Sequence, residues 1–311
     1  ACENALHFYG GYSRETEEKV KKAVNECEFT PNANSIGLRT NKSRCIGVIV
    51  PDVTNEFFAR IIQELDFYLL KHKYSLLICN SNEGYELENM HIRGLIEKHI
   101  DGIVYISGQN EIKHTGKIRN IPVVYIDRAP KNAEVLILSD NETGGYLAGR
   151  ELIAKGCTKI LFLRDIRYAS TIRSRKEGFI RALGENGISF SEELEMSCFP
   201  EYEETRGVME RLLREKGCFF DGIFTTNDMM ALACINVLME NRIKVPDQVR
   251  VVGFDNISLS QFANPQITTI AQDTKELALH AGETILKMIE GKEIRKKKTI
   301  IPVRLIARGT T

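Results

Sequence analysis

Eight side chains in this sequence of 311 residues have the types needed to hold a polyol: Phe57, Phe58, Asp127, Arg128, Arg175, Asn227, Asp255 and Gln272. Each hydroxyl of a sugar both donates and accepts a hydrogen bond, while the C–H face of its ring is apolar. Asp127 and Asp255 supply carboxylate acceptors, Arg128 and Arg175 planar donors, and Asn227 and Gln272 groups that do both. Carboxylate and guanidinium groups bridge neighbouring hydroxyls through charge-assisted bonds, and Phe57 and Phe58 offer flat apolar faces for the ring. Taken singly, each has a plainer role. An Asp after a strand is a turn former or a helix cap, and Arg175 could be a solvated helix cation. At least one of Phe57 and Phe58 belongs to a helix core face with Ile61, Ile62, Leu65 and Leu69. Asn227 could cap the helix that follows, with Asp228 the better cap candidate. Their recurrence at the ends of apolar runs favours the joint reading.

The elements that must position these groups are legible as an alternation. "CIGVIV", "YSLLIC", "DGIVYIS" and "IPVVYID" are apolar, β-branched runs separated by stretches of helical period such as "FFARIIQELDFYLLKH". Continuous apolar strands between helices predict parallel sheets covered on both faces. The pattern then restarts with "KILFLRD", "SRKEGFIRALGENG", "LEMSCF", "DGIFTTND", "MMALACINVLMEN" and "VRVVGFDN". Asp101-Gly102-Ile103 recurs as Asp221-Gly222-Ile223, and Val123–Asp127 as Val251–Asp255. The expectation is an α/β chain of two doubly wound, Rossmann-like halves. Ligands of such sheets bind outside the carboxyl ends of the strands, so Asp52, Asn55, Asn82, Ser107, Asp127, Arg128, Asp165, Asn227, Asp255 and Asn256 should face one shared cleft.

Composition excludes several other functions. The 42 basic residues match the 42 acidic ones, so no global field draws the protein to nucleic acid or membrane, and a nucleic-acid role must be local. The eight cysteines form no C-x-x-C pair, which argues against zinc or redox motifs and fits a cytoplasmic protein with reduced thiols. No apolar run approaches the roughly 20 residues of a membrane span, and "ACENALHFYGGY" does not read as a signal peptide. Phosphate-loop and nucleophile-elbow motifs are missing, and the six histidines lack metal-ligand spacing. "GGYLAG" (144–149) is read as small residues packing a helix onto a sheet. No enzyme activity, cofactor or metal is expected.

From about Tyr12 onward the sequence resembles the lactose-repressor family of bacterial transcription regulators. The resemblance is carried, in order, by "TNKSRCIGVIVPDVTNEFF", "IPVVYIDR", "SRKEGF", "DGIFTTNDMMAL", "VRVVGFDN", "ITTIAQD" and "PVRLIARGT". It implies a core like that of ribose-type periplasmic binding proteins, whose sugar-contacting positions fall on the eight residues above. It also implies a pentose such as ribose, or a related sugar, as effector, a homodimer, and operator DNA as partner. "YSRETEEKVKKAVNECEFTPN" is similar to the last headpiece helix and "NANSIGL" to the hinge helix. The family pattern would make Leu38 a minor-groove wedge and place Arg39, Lys42 and Arg44 near phosphates. Ser35, Ile36 and Gly37 depart from the family's hinge, Glu56 stands where Pro is usual, and no helix-turn-helix pattern precedes Tyr12.

The expected organisation is a truncated headpiece and hinge over 1–43, one subdomain over 44–139 plus 271–297, and a second over 140–270 plus 298–311. Chain crossings are expected near Leu138–Asp140, Thr268–Gln272 and Lys297–Thr299. The expected function is a sugar-responsive repressor whose effector changes lobe closure and thereby hinge-helix geometry and operator affinity. A sugar-binding protein without DNA binding, in a solute-binding or dimer-modulating role, is the alternative.

Overall fold

The computed structural model describes residues 15, 18, 19, 22, 26, 42–109, 111, 117–167 and 169–311. The hinge residues Leu38 and Arg39, and the headpiece reading around them, lie outside these. Lys42 is described and stands, half-buried, just ahead of the first strand.

The first lobe opens with β1 (Cys45–Val50), α1 (Glu56–Lys71), β2 (Ser75–Asn80), α2 (Tyr85–Glu97) and β3 (Gly102–Tyr105), followed by β4 (Lys117–Ile118), β5 (Ile121–Ile126) and β6 (Leu136–Ser139). β1 is buried along nearly its whole length, as a central parallel strand must be when helices cover both faces. α1 begins where Asn55 Oδ1 accepts the amide of Phe57 at 3.0 Å, and Glu56 in the first turn and Lys71 in the last complement the helix dipole. Its i, i+3, i+4 stripe buries Phe57, Phe58, Ile61, Ile62, Leu65 and Leu69. Truncating Leu65 or Leu69, both fully buried, would cost about 2–5 kcal/mol.

The second lobe contains α3 (Asn141–Ala154), β7 (Ile160–Asp165), α4 (Ser170–Glu185), a 3₁₀ turn (Glu192–Leu194), β8 (Glu195–Cys198), α5 (Tyr202–Lys216), β9 (Gly222–Thr225), α6 (Asp228–Glu240), β10 (Arg250–Asp255), α7 (Leu259–Phe262) and β11 (Thr268–Ala271). α8 (Thr274–Ile289), β12 (Lys298–Ile301) and β13 (Arg304–Ile306) complete the chain.

The first sheet has the order β12-β6-β5-β3-β1-β2, with β4 antiparallel to β5. The second runs β13-β11-β10-β9-β7-β8, parallel except for β13. In both, the chain reverses direction across the sheet beside the lobe's first strand, where a doubly wound fold opens its binding crevice. The chain passes between sheets after β6, after β11, and between β12 and β13.

The third passage corrects the expectation for 298–311. β12 pairs in parallel with β6, Lys298 with Leu136 through Ile301 with Ser139, and Ile301 joins the first lobe's core. The crossing therefore falls at Pro302-Val303, and the second sheet gains only β13. "TIIPVRLI" is one apolar run whose pattern does not name its partner strand. Pro302, with no N–H to give a ladder, divides it.

The short residues of "GGYLAG" do pack a helix, against a sheet and against a second helix. A Cβ on Gly144 would stand 2.7 Å from the Phe254 ring, and one on Gly145 would stand 1.8 Å from the carbonyl oxygen of Arg175. Gly178 meets α3 equally closely, 1.8 Å from the Glu142 carbonyl oxygen. The backbones of α3 and α4 thus touch at two reciprocal points.

Candidate functional site

A cavity of about 490 Å³ opens between the two sheets at the carboxyl ends of their strands. Phe57, Phe58, Asp127 and Arg128 line it from the first lobe; Arg175, Asn227 and Asp255 line it from the second. Gln272, the eighth residue, lies behind this wall at the β11–α8 crossing. Its Nε2 donates to Asp255 Oδ1 at 2.7 Å.

The two Phe rings are both core and wall. They are 3% and 6% exposed, their centroids are 5.4 Å apart, and both still border the cavity. Starting α1 at the mouth of the cleft gives one helical turn both tasks.

Asp127 directly follows β5 and Asp255 ends the equivalent strand β10, each with positive φ, 64° and 100°. This backbone is uncommon outside Gly, Asn and Asp and costs free energy that surrounding contacts must offset. Asp127 is tied down by its amide, which donates to the Ile137 carbonyl at 2.9 Å. Its Oδ1 is buried and makes no hydrogen bond within the protein. Burial pushes its carboxyl up to about 6, against the pull of Arg128 and Arg175. Burial likewise raises Asp255, opposed by Arg175 and Gln272.

Arg175, 5% exposed, projects from α4 beneath the cleft. Its Nε donates to Asn141 Oδ1 at 2.8 Å and Nη1 to the Thr226 carbonyl. Nη2 lies 3.7 Å from Asp255 Oδ1. The guanidinium sits 3.6 Å over the centroid of Phe254, a cation–π contact strengthened by desolvation. Burial lowers its pKa, but a guanidinium stays charged.

Asn227, not Asp228, caps α6: its Oδ1 accepts the Met230 amide at 2.8 Å. Asp228 turns inward instead. It is fully buried and accepts from Thr269 Oγ1 at 2.6 Å and from the Ile257 amide at 2.9 Å. This pins the segment after β10, where Arg308 also donates to Asn256 Oδ1 at 2.6 Å.

Three partners escaped the sequence reading: Glu83, Asn141 and Arg167. Glu83 receives Arg128 through two bonds of 2.5 and 2.7 Å, and Arg167 from the other lobe lies 3.2 Å away. The Arg128 bond holds Glu83 below the usual carboxylate range despite burial. The available signal was Asn82, placed at a strand end by pattern, with Glu83 next to it.

The lobes also meet directly. Ser258 donates through its amide and hydroxyl to Glu56 at 2.8–3.0 Å. Arg60 reaches the Asn256 carbonyl at 3.1 Å and Ser258 Oγ at 3.0 Å. Glu56 replaces the family's usual Pro without disturbing α1, and its side chain bridges the lobes. On the opposite side, the Ala129 amide donates to Ser170 Oγ at 2.8 Å.

The arrangement suits a hydroxylated ring: carboxylates at the ends of equivalent strands, a buried guanidinium behind, and two aromatic faces. Among the described residues, no helix is long and apolar enough to cross a membrane.

Residues 150–311 match the family described as periplasmic binding protein-like domain. The repressor PurR of Vibrio parahaemolyticus is 34% identical over 300 residues, 95% of this chain and 89% of its own length. The ribose operon repressor of Lactococcus lactis is 29% identical over 97% of this chain and 90% of its own. A solved periplasmic binding protein/LacI regulator from Alkaliphilus metalliredigens, complexed with D-xylulofuranose, superposes with a TM-score of 0.75 at 27% identity. The match covers 86% of this chain and 99% of that one. Two doubly wound lobes around one cleft, together with repressor relatives along almost the whole length, establish that this chain belongs to the lactose-repressor family of transcriptional regulators.

Proposed function

We propose that the chain is a cytoplasmic, sugar-responsive repressor whose effector, a pentose such as ribose or a close relative, binds between the lobes of a homodimer. The observation that carries this reading is the convergence of Asp127, Asp255 and Arg175 beneath Phe57 and Phe58, with Asp127 Oδ1 buried and making no bond within the protein. A buried acceptor of this kind calls for a donor, and a ring hydroxyl supplies one. The ribose operon repressor among the relatives and the D-xylulofuranose complex among the similar structures point to the same size of sugar.

Effector binding favours one lobe angle over another, which is all a ligand can do to such an equilibrium. The lobe angle sets the spacing of the paired hinge segments, where Leu38 would wedge into the minor groove with Arg39 and Lys42 beside phosphates.

A thermal-shift panel of pentoses and hexoses tests the proposal. A pentose at 100 times its Kd should stabilise the protein by about 2.7 kcal/mol, and Asp255→Ala should abolish the shift. If no sugar moves the melting temperature, the reading fails.

A further inference from the structure

We infer that Glu83 sets the effector class, so that the cleft takes a neutral, unphosphorylated sugar and rejects its phosphate ester. This rests on the sugar reading above and narrows it.

A phosphate monoester carries about −1.5 to −2 charges at neutral pH, and its usual protein partner is a guanidinium fork presented face-on. Three guanidinia line this cleft, and each is already engaged. Arg128 gives both Nη groups to Glu83. Arg167 donates Nε to both oxygens of Asp165 at 2.9 and 3.0 Å, with Nη2 2.8 Å from Asp165 and Nη1 3.2 Å from Glu83. Arg175 is held by Asn141, Thr226 and Asp255. Glu83 is thus the single carboxylate that occupies two of the three forks.

The remaining field is negative. Seven carboxylates and three guanidinia are found among the described residues lining the cleft. Even with Asp127 and Asp255 protonated, carboxylates outnumber guanidinia five to three. Of the helix N-termini at the cleft, three carry their own acidic residues: α1 begins with Glu56, α5 has Glu203 and Glu204 in its first turn, and α6 begins with Asp228, whereas the first turn of α4 has none. By contrast, the buried polar atoms of cleft-lining residues that make no hydrogen bond in the protein are Asp127 Oδ1 and Arg128 Nε. One acceptor and one donor suit a hydroxyl group.

The backbone is arranged to aim Glu83. Asn82 and Glu83 both adopt positive φ, 46° and 59°, before Gly84 opens α2. A Cβ on Gly108 would fall 2.8 Å from Glu83 Oε2, so the loop after β3 has only glycine where the carboxylate passes. Tyr105 and Gly108 bond to buried Glu88, each at 2.6 Å, and fix that loop.

Isothermal titration of the full chain with the free pentose that binds best, and with its 5-phosphate, tests this. The wild type should bind the ester at least about 100-fold more weakly, the loss expected when an unpaired charge enters a negative cleft. Glu83→Gln, which releases Arg128 and Arg167, should narrow that ratio at least tenfold by a gain for the ester. Glu83→Asp, which keeps the charge, should remain selective. An ester that binds the wild type as well as the free sugar overturns the inference while leaving the sugar reading intact; this arm needs no variant. An unchanged ratio in a folded Glu83→Gln protein removes Glu83 from the role. Binding of neither ligand overturns both readings.

Discussion

Asp127 carries its cost in the free protein. An ordinary aspartate titrates near 3.9, whereas burial pushes this one to about 6. The folded protein thus holds the proton more tightly than the unfolded chain. The stability this contributes is complete below about pH 4 and is lost as pH rises through 6. The ionised carboxylate then costs about 3 kcal/mol at neutral pH. Asparagine tolerates the same positive φ, so Asp127→Asn should raise the urea midpoint at pH 7.5 and leave it nearly unchanged at pH 4, while weakening pentose binding at least about tenfold. The same linkage makes the wild-type Kd rise as pH falls through 6, because a hydroxyl donor prefers the ionised carboxylate. A midpoint at pH 7.5 that does not rise would refute the account. Asp127 and Asp255 could be found in the sequence because each ends an apolar run of the same form. Glu83 could not. Its function depends on a left-handed turn that swings it toward Arg128, 45 positions away, and single residues outside glycine do not announce that backbone.

Among the elements, the α3–α4 pair has least room for change. Alanine at Gly145 or Gly178 would drive a methyl into a backbone carbonyl 1.8 Å away, where no side chain can move aside. Each substitution should destabilise by about 1–3 kcal/mol or more. Gly145→Ala should also weaken sugar binding, because the atom it strikes is the carbonyl of Arg175 itself. Denaturant titration beside calorimetry checks this; full affinity in Gly145→Ala would show that Arg175 is held by its side-chain partners alone. The sequence identified the helices and strands by period, and glycine spacing revealed tight packing. It did not reveal that α3 presses on a second helix as well as on β10, because a small residue records closeness without naming the neighbour. For the same reason sequence pattern does not place the four residues of β12 in the first sheet: pattern marks a strand, but pairing is decided by the edge that lies open to it. Sequence alone makes Asp228 a cap candidate because caps and buried acceptors use the same side chain, and only the position of Thr269 and Ile257 distinguishes them.

At the scale of the whole molecule, two polar clasps hold the lobes together on either side of the cleft: Glu56 and Arg60 with Asn256 and Ser258, and Glu83 with Arg167 beside the Ala129–Ser170 bond. The double change Glu56→Pro, Arg60→Ala removes the first clasp with little cost to α1, since proline suits the first helical position and alanine the helix interior. The radius of gyration of the sugar-free protein should increase in solution scattering and return on adding sugar, with the melting temperature within a few degrees of wild type. An unchanged scattering curve would mean that the clasp does not set the lobe angle. The triple passage of the chain between lobes has a further consequence during synthesis. The first sheet receives β12 only after all of the second lobe except β13 has been translated, because Lys298–Ile301 lie beyond β11. The early-made half must wait on the ribosome with its β6 edge unpaired and without α8 across its face. A nascent chain therefore cannot report sugar until β12 has left the ribosome.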